Sequence, residues 1–357
     1  MNKKILILVD YLNNFWISIP DLQNFKSMDT ELISNLFRER GYVVELVRYE
    51  DIDFSKKYND YIVLYQSTED LELNYKSYIE DIILWLKCQG ALIIPDFIYL
   101  RAHHNKNMME LIRKGLGDTS FKTIETEIIS TYETIEDKKY KNYPLVVKTA
   151  SGAGSNGVLL VKNKKELLRK LRSATRVFSR RKFSYSLMKL KRKLLRQPII
   201  ESINDYNNNK FIIQSFIKNL TGDYKVLIFN EKYYILHRKN RENDFRASGS
   251  GIYLEPIDEE INGLLDFARK LFQELKVPVL SIDIGCSEGI YHLIEFQCIH
   301  FGPYTLQASE YYYINTVSGW EKILGKSELE KEFVISLDAY LQETTKSHKN
   351  NISNLEY

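Results

Sequence analysis

Only three cysteines and seven prolines occur in the 357 residues. Cys88, Cys286 and Cys298 are odd in number and far apart, which argues against a disulfide framework and for a reducing compartment. No Cys or His group has the spacing of a zinc site, and the adjacent His103-His104 pair reads as structural or surface, because neighbours on one element point apart. No apolar run is long enough to span a bilayer. The N-terminal run Ile5–Val9 stops at Asp10 after five residues with no small-residue cleavage site, so it reads as a buried first strand rather than a signal peptide. The expected location is cytoplasmic, with a peripheral position at the inner membrane face as a variant of it. Scarce proline beside 25 tyrosines and 17 phenylalanines excludes wholesale disorder.

What is there begins with charge. The net charge of +3 is unevenly spread: residues 162–196 hold fifteen Lys or Arg and one acid, Glu166, giving +14, so the remainder is 3 − 14 = −11. Phe178, Phe183 and Tyr185 are interleaved with the basic residues. Such a run is a solvated face, or it meets an anionic partner: a lipid-linked or phosphorylated substrate, or a membrane surface. Nucleic acid fits less well, because no recognition motif accompanies the charge.

Residues 1–100 alternate strand and helix patterns. Ile5–Val9, Val43–Val47, Tyr61–Tyr65 and Leu92–Ile94 read as strands, and Glu31–Arg40 and Tyr78–Lys87 as helices, which implies an open, largely parallel α/β layer. Residues 101–210 read as a smaller α+β unit carrying the basic stretch. Residues 211–330 show hairpin patterns over Phe211–Ile217, Lys225–Phe229, Tyr233–His237, Val279–Gly285 and Ile290–Gln297, with a helix at Glu259–Leu275. Residues 331–357 read as a helix with a tail fraying from Lys346.

Four stretches carry chemistry. The strand Leu145–Val147 runs through Lys148 into Ser151-Gly152-Ala153-Gly154-Ser155-Asn156-Gly157 and a second apolar run. A cation beside a loop of free backbone N–H groups is a phosphate clamp, although a plain hairpin turn has the same look. It is not a Walker loop, since Gly157 leads into a strand. Second, a hairpin with Ser287-Glu288-Gly289 as a three-residue loop sets Asp283 across from Leu293 and leaves Asp283, Glu295 and Gln297 on one face, the acids as diagonal neighbours. Two carboxylates and an amide oxygen suit Mg²⁺ (or Mn²⁺); the alternative is a solvated polar face. Third, Phe211–Ile217 offers backbone polar groups to a flat ring, or is simply a core strand. Fourth, Asp223-Tyr224-Lys225, Arg238 and Arg246 gather charges suited to a carboxylate or an oxyanion, or belong to an ordinary surface loop.

In order and spacing these pieces resemble the ATP-grasp superfamily, most closely its glutathione-synthetase-like and ribosomal-protein-glutamate-ligase-like carboxylate–amine ligases. The resemblance covers roughly residues 90–300, with the first hundred similar to the α/β domain that precedes the ATP-grasp fold. It implies ATP and Mg²⁺ as cofactors. It casts Lys106 and Lys148 as nucleotide lysines, Ser151–Gly157 as the loop over the triphosphate, and Gln214, Phe216 and Ile217 as the adenine hinge. Asp223 and Lys225 resemble an Asp-x-Arg step with lysine for arginine. Arg238 and Arg246 resemble the arginines that hold acyl phosphate and substrate carboxylate, and Asp283 and Glu295 the metal ligands. Two departures stand out: Glu295-Phe296-Gln297 replaces Glu-x-Asn, and Ala247-Ser248 stands where an Asn often follows the second arginine. His300-Phe301-Gly302-Pro303-Tyr304 follows no substrate pattern. The implied activity is an ATP-dependent ligase joining a small or lipid-linked carboxylate to an amine. The alternatives are a kinase on the same scaffold and a non-catalytic nucleotide- or membrane-binding protein.

Overall fold

The computed structural model describes residues 4–15, 27–70, 72–150, 157–175, 180–198, 208–242, 244–246 and 252–353. The chain packs as two units, one built from 1–103, 116–121 and 219–357, the other from 104–115 and 122–218.

The first unit begins with a parallel sheet of β1 (Lys4–Val9), β2 (Val43–Arg48), β3 (Tyr61–Leu64) and β4 (Leu92–Ile94), ordered β2-β1-β3-β4. The aliphatic run of β1 is buried from Ile5 to Val9, as a central parallel strand covered on both faces requires. Helix α1 (Thr30–Glu39) starts at Asp29, whose carboxylate accepts the N–H groups of Glu31 and Leu32 at 3.0 and 2.9 Å. It ends before Gly41, whose φ of +84° is the left-handed turn expected of a glycine stop. Helix α2 (Asn74–Cys88) starts earlier than the apolar stripe alone indicates, but buries the stripe Ile79, Ile82, Ile83 and Leu86. A short α3 (Phe97–Ala102) follows, capped by Asp96.

The second unit is an antiparallel sheet of β5 (Thr126–Thr131), β6 (Leu145–Thr149), β7 (Val158–Val161) and β8 (Asn208–Ser215), ordered β5-β8-β6-β7. Its helices are α4 (Lys106–Gly115), α5 (Glu133–Glu136), α6 (Lys164–Thr175) and α7 (Arg180–Leu194). Ile129, Leu145, Val147, Val161, Leu167, Leu171, Phe211 and Ile213 form its core. Only Ile129 of β5 is fully buried, so this edge strand has no clean alternation and escapes a pattern search.

The larger sheet of the first unit contains β9 (Gly222–Phe229), β10 (Lys232–Lys239), β11 (Tyr253–Leu254), β12 (Val279–Ser287), β13 (Ile290–Gln297), β14 (Tyr311–Thr316) and β15 (Gly319–Leu324). Their order is β13-β12-β9-β10-β14-β15, with β11 beside β10. The β14–β15 hairpin was not expected from the sequence. Helix α8 (Asp258–Leu275) buries Leu264, Leu265, Ala268 and Leu271. A single turn, α9 (Tyr304–Gln307), precedes α10 (Leu329–Ser353), which continues past Lys346 where fraying was expected. One apolar cluster joins Ile5 and Ile7 of β1, Leu227 and Phe229 of β9, Val279 of β12 and Phe333, Val334 and Leu337 of α10. The parallel layer and the larger sheet therefore share a core.

Candidate active site

The site in the first unit rests on two hairpins. β9 and β10 are joined by the two-residue turn Asn230–Glu231, with Phe229 opposite Lys232. Counting back from that turn puts Asp223 opposite Arg238. Gly222 permits the close approach at the far end: a Cβ there would lie 2.3 Å from the Arg238 carbonyl oxygen.

The second hairpin departs from expectation in two ways. Its loop is the pair Glu288–Gly289, with φ of +55° and +75°, not a three-residue loop. Ser287 pairs with Ile290, and the register then shifts between Ile284 and Asp283, leaving Ile294 as the extra residue of a β-bulge. Without that bulge Asp283 would oppose Ile294 and Glu295 would turn toward the core. With it, Asp283 sits directly opposite Glu295, rather than opposite Leu293 with Glu295 on the diagonal. Leu293, not Ile294, joins Ile282, Ile284 and Phe296 in the core.

Across the strands, Asp283 is flanked by Glu295 on β13 and by Lys225 on β9. Arg238 Nε donates to Asp223 Oδ1 at 2.6 Å, and its Nη2 lies 2.9 Å from Asp283 Oδ2. Lys225 Nζ lies 3.8 Å from Asp283 Oδ1. Gln297 Nε2 donates to Glu295 Oε1 at 3.0 Å. Three carboxylates and two cations thus share one face, and Arg238 is 11% exposed. Burial, followed by the charge of Asp283, pushes the Asp223 carboxyl up to about 6 against the pull of Arg238. Burial would discharge Arg238, but Asp283 and Asp223 hold it firmly protonated. Gly302, at φ +65°, brings the backbone up to Lys225: a Cβ there would be 3.3 Å from Lys225 Cε.

Arg246 stands apart from this row in its described contacts. Its Nε and Nη2 donate to Asp244 at 2.9 and 2.6 Å, and that guanidinium holds the Asp244 carboxyl below the usual range. Ala247 and Ser248 lie outside the described residues.

In the second unit Lys148 is the fourth residue of β6, opposite Val158 on β7 and Ile212 on β8. Ser151, Gly152, Gly154, Ser155 and Asn156 lie outside the described residues. Gly157 closes the hairpin: its carbonyl accepts the Thr149 N–H at 3.1 Å, and a Cβ on it would lie 2.1 Å from Thr149 Oγ1. The Lys106 N–H donates to the Ala150 carbonyl at 2.9 Å, so the start of α4 is tied to the start of the loop. Lys106 is buried, and Phe216 and Ile217 are half-buried just after β8 ends. The Gln214 side chain is committed to packing: it is buried and donates to Glu110 Oε1 and Thr126 Oγ1, each at 3.0 Å. Glu110 also pairs with Arg113 on the next turn of α4.

No protein-family model matches the chain, and no curated protein matches it. Solved structures do. A D-alanine–D-alanine ligase from Bacillus anthracis superposes with a TM-score of 0.50 at 15% identity, over 98% of this chain and 99% of that one. A D-cycloserine synthetase gives 0.49 at 10% identity over 94% and 98%, and an L-amino acid ligase from Bacillus licheniformis gives 0.44 at 15% over 86% and 69%. The fold is the ATP-grasp fold.

Three features of this chain were missed in the sequence. The Asp223–Arg238 pairing was within reach by counting from the Asn230–Glu231 turn. The Glu110–Arg113 pair has i,i+3 spacing, but nothing in the sequence marks Gln214 as its partner. His103 was taken as structural or surface; it is buried, 3.1 Å from Glu69, with its ring 4.4 Å from that of His300. Among the described residues no helix is long and apolar enough to cross a membrane.

Proposed function

We propose that the chain is an ATP-dependent carboxylate–amine ligase. One observation carries this reading: on an ATP-grasp fold, Asp283 and Glu295 face each other beside Lys225 and Arg238. The donor set fits a hard divalent ion, because Asp283, Glu295 and the Gln297 amide oxygen are all oxygen ligands on one sheet face. Mg²⁺ (or Mn²⁺) held there would neutralise charge on the transferred phosphoryl group. Lys106, Lys148 and the 151–157 loop bind the triphosphate of ATP, and the backbone around Gln214, Phe216 and Ile217 receives the adenine. Arg238, Arg246 and Lys225 hold the substrate carboxylate. One carboxylate oxygen takes the γ-phosphoryl group and ADP leaves. The amine nitrogen then attacks the acyl carbon, inorganic phosphate departs and the amine loses a proton. Closure of the glycine loop keeps water from the acyl phosphate.

The substrates are a small-molecule or lipid-linked acid and an amine. The setting is cytoplasmic, with the 162–196 segment meeting an anionic partner or the inner membrane face. The division at residues 100, 210 and 330 belongs to the same reading. A non-catalytic nucleotide-binding protein is the second reading, favoured by the cations lying against both oxygens of Asp283. The deciding experiment is phosphate release from ATP and Mg²⁺ with pools of amino acids and sugar acids. Release of both ADP and phosphate, dependent on one acid–amine pair, supports the ligase. ADP without phosphate indicates a kinase, and no turnover with any pool leaves the non-catalytic protein.

A further inference from the structure

Helix α7 spans Arg180–Leu194 and contains no acidic residue. Its described side chains from residue 184 onward are all exposed or half-exposed. Leu187, Leu190 and Leu194 follow i, i+3, i+7 spacing and form one stripe. They are 50%, 54% and 75% exposed; Met188, 47% exposed, lies off the stripe, and Leu195, 58% exposed, follows the helix end. At 3.6 residues per turn, Lys189 and Arg192 lie on the opposite arc, Lys193 and Lys191 border the stripe beside Leu190 and Leu187, and Arg196 lies just beyond the helix end. A helix of a water-soluble surface has no reason to set a row of leucines into solvent, and a core helix has no reason to carry this many cations.

We propose that α7 is an interfacial helix that docks the protein on an anionic lipid bilayer. The leucine stripe enters the boundary between headgroups and acyl chains, while the cations flanking it meet the lipid phosphates. Charge selects this occupant. A second copy of the chain paired symmetrically through α7 would set one +14 segment against another. A nucleic acid would use the cations and leave the leucines in water. An anionic bilayer takes both faces of the helix. This inference gives the 162–196 segment a specific surface and does not depend on the ligase chemistry.

The test is flotation of the full chain with vesicles of equal parts phosphatidylglycerol and phosphatidylcholine, and with phosphatidylcholine alone. The chain is expected to float with the anionic vesicles and to bind the neutral ones at least about tenfold more weakly. Lys189→Gln/Arg192→Gln/Lys193→Gln lowers partitioning about fivefold per cation, on the order of a hundredfold in all. Leu187→Ser/Leu190→Ser/Leu194→Ser lowers it by at least about tenfold without changing the unfolding midpoint, because these residues are exposed. Failure to float with anionic vesicles overturns the proposal. So does a leucine variant that binds like wild type, which marks a purely electrostatic partner such as nucleic acid, or a dimer in light scattering that the leucine variant dissolves. Asp283→Asn keeps vesicle binding intact, so this proposal and the ligase reading fail independently.

Discussion

On the seven-stranded sheet, Arg238 is 11% exposed and lies between Asp223 and Asp283; on α7, Lys191, Arg192 and Lys193 are exposed on a helix that contains no acid. The same residue types do different work in the two places. Strand register fixes the partners of Arg238 and removes them from water, so each charge depends on the others being present. The helix cations are solvated, and their local cost to the fold is small. The sheet face is committed to an arrangement around one small region, whereas the helix face presents its cations to solvent.

This contrast can be broken at several points, with effects of decreasing size. Asp283→Asn/Glu295→Gln removes both acids that face one another. Phosphate release is expected to fall at least about a hundredfold while the far-ultraviolet circular dichroism stays unchanged. Wild-type turnover in this variant would overturn the catalytic role proposed for the sheet face. Arg238→Ala leaves two acids without their buried cation and is expected to cost about 3–5 kcal/mol in urea unfolding, whereas Arg192→Ala on α7 stays within about 0.5 kcal/mol. Equal losses would erase the distinction. Gly222→Ala places a methyl against the Arg238 carbonyl and is expected to cost about 1–3 kcal/mol, while Gly289→Ser at the open hairpin tip strains only its own backbone.

Glu45 in β2 is an intermediate case. Burial alone would raise its carboxyl, but hydrogen bonds from Lys56 at 2.9 Å and Tyr61 at 2.7 Å hold it below the usual value of 4.5. A lowered carboxyl contributes stability that is present above pH 4.5 and lost as the pH falls through the lowered value. The gap in unfolding midpoint between wild type and Glu45→Gln is therefore expected to be small at pH 7 and to close toward pH 3. A gap that widens in acid would reverse the sign of this assignment.

Much of the fold was readable because its signals are local. The apolar runs of β1 and β4 and the Gly41 stop need no partner to be recognised. The bulge at Ile294 and the crossing of β12 beside β9 are tertiary facts: 49 residues lie between Phe229 at the end of β9 and Val279 at the start of β12, and no local count sets Asp283 against Lys225. Asp283 and Glu295 do share one face, but by a register other than the expected one, set by the two-residue turn and the bulge together. Gln214 shows the limit most clearly, since its side chain is consumed by Glu110, which lies 104 residues earlier.

The extra residue at Ile294 also bears on how this chain lines up with its structural relatives. Six residues separate the Glu288–Gly289 tip from the far side of Glu295, yet only five run from Asp283 to Ser287. A relative with a regular hairpin would carry its equivalent acid one place nearer the tip. An ungapped alignment would then set a core side chain against Glu295, and the acid would look lost where it has only slipped. Homology searches that penalise a gap inside a strand will undercount such sites.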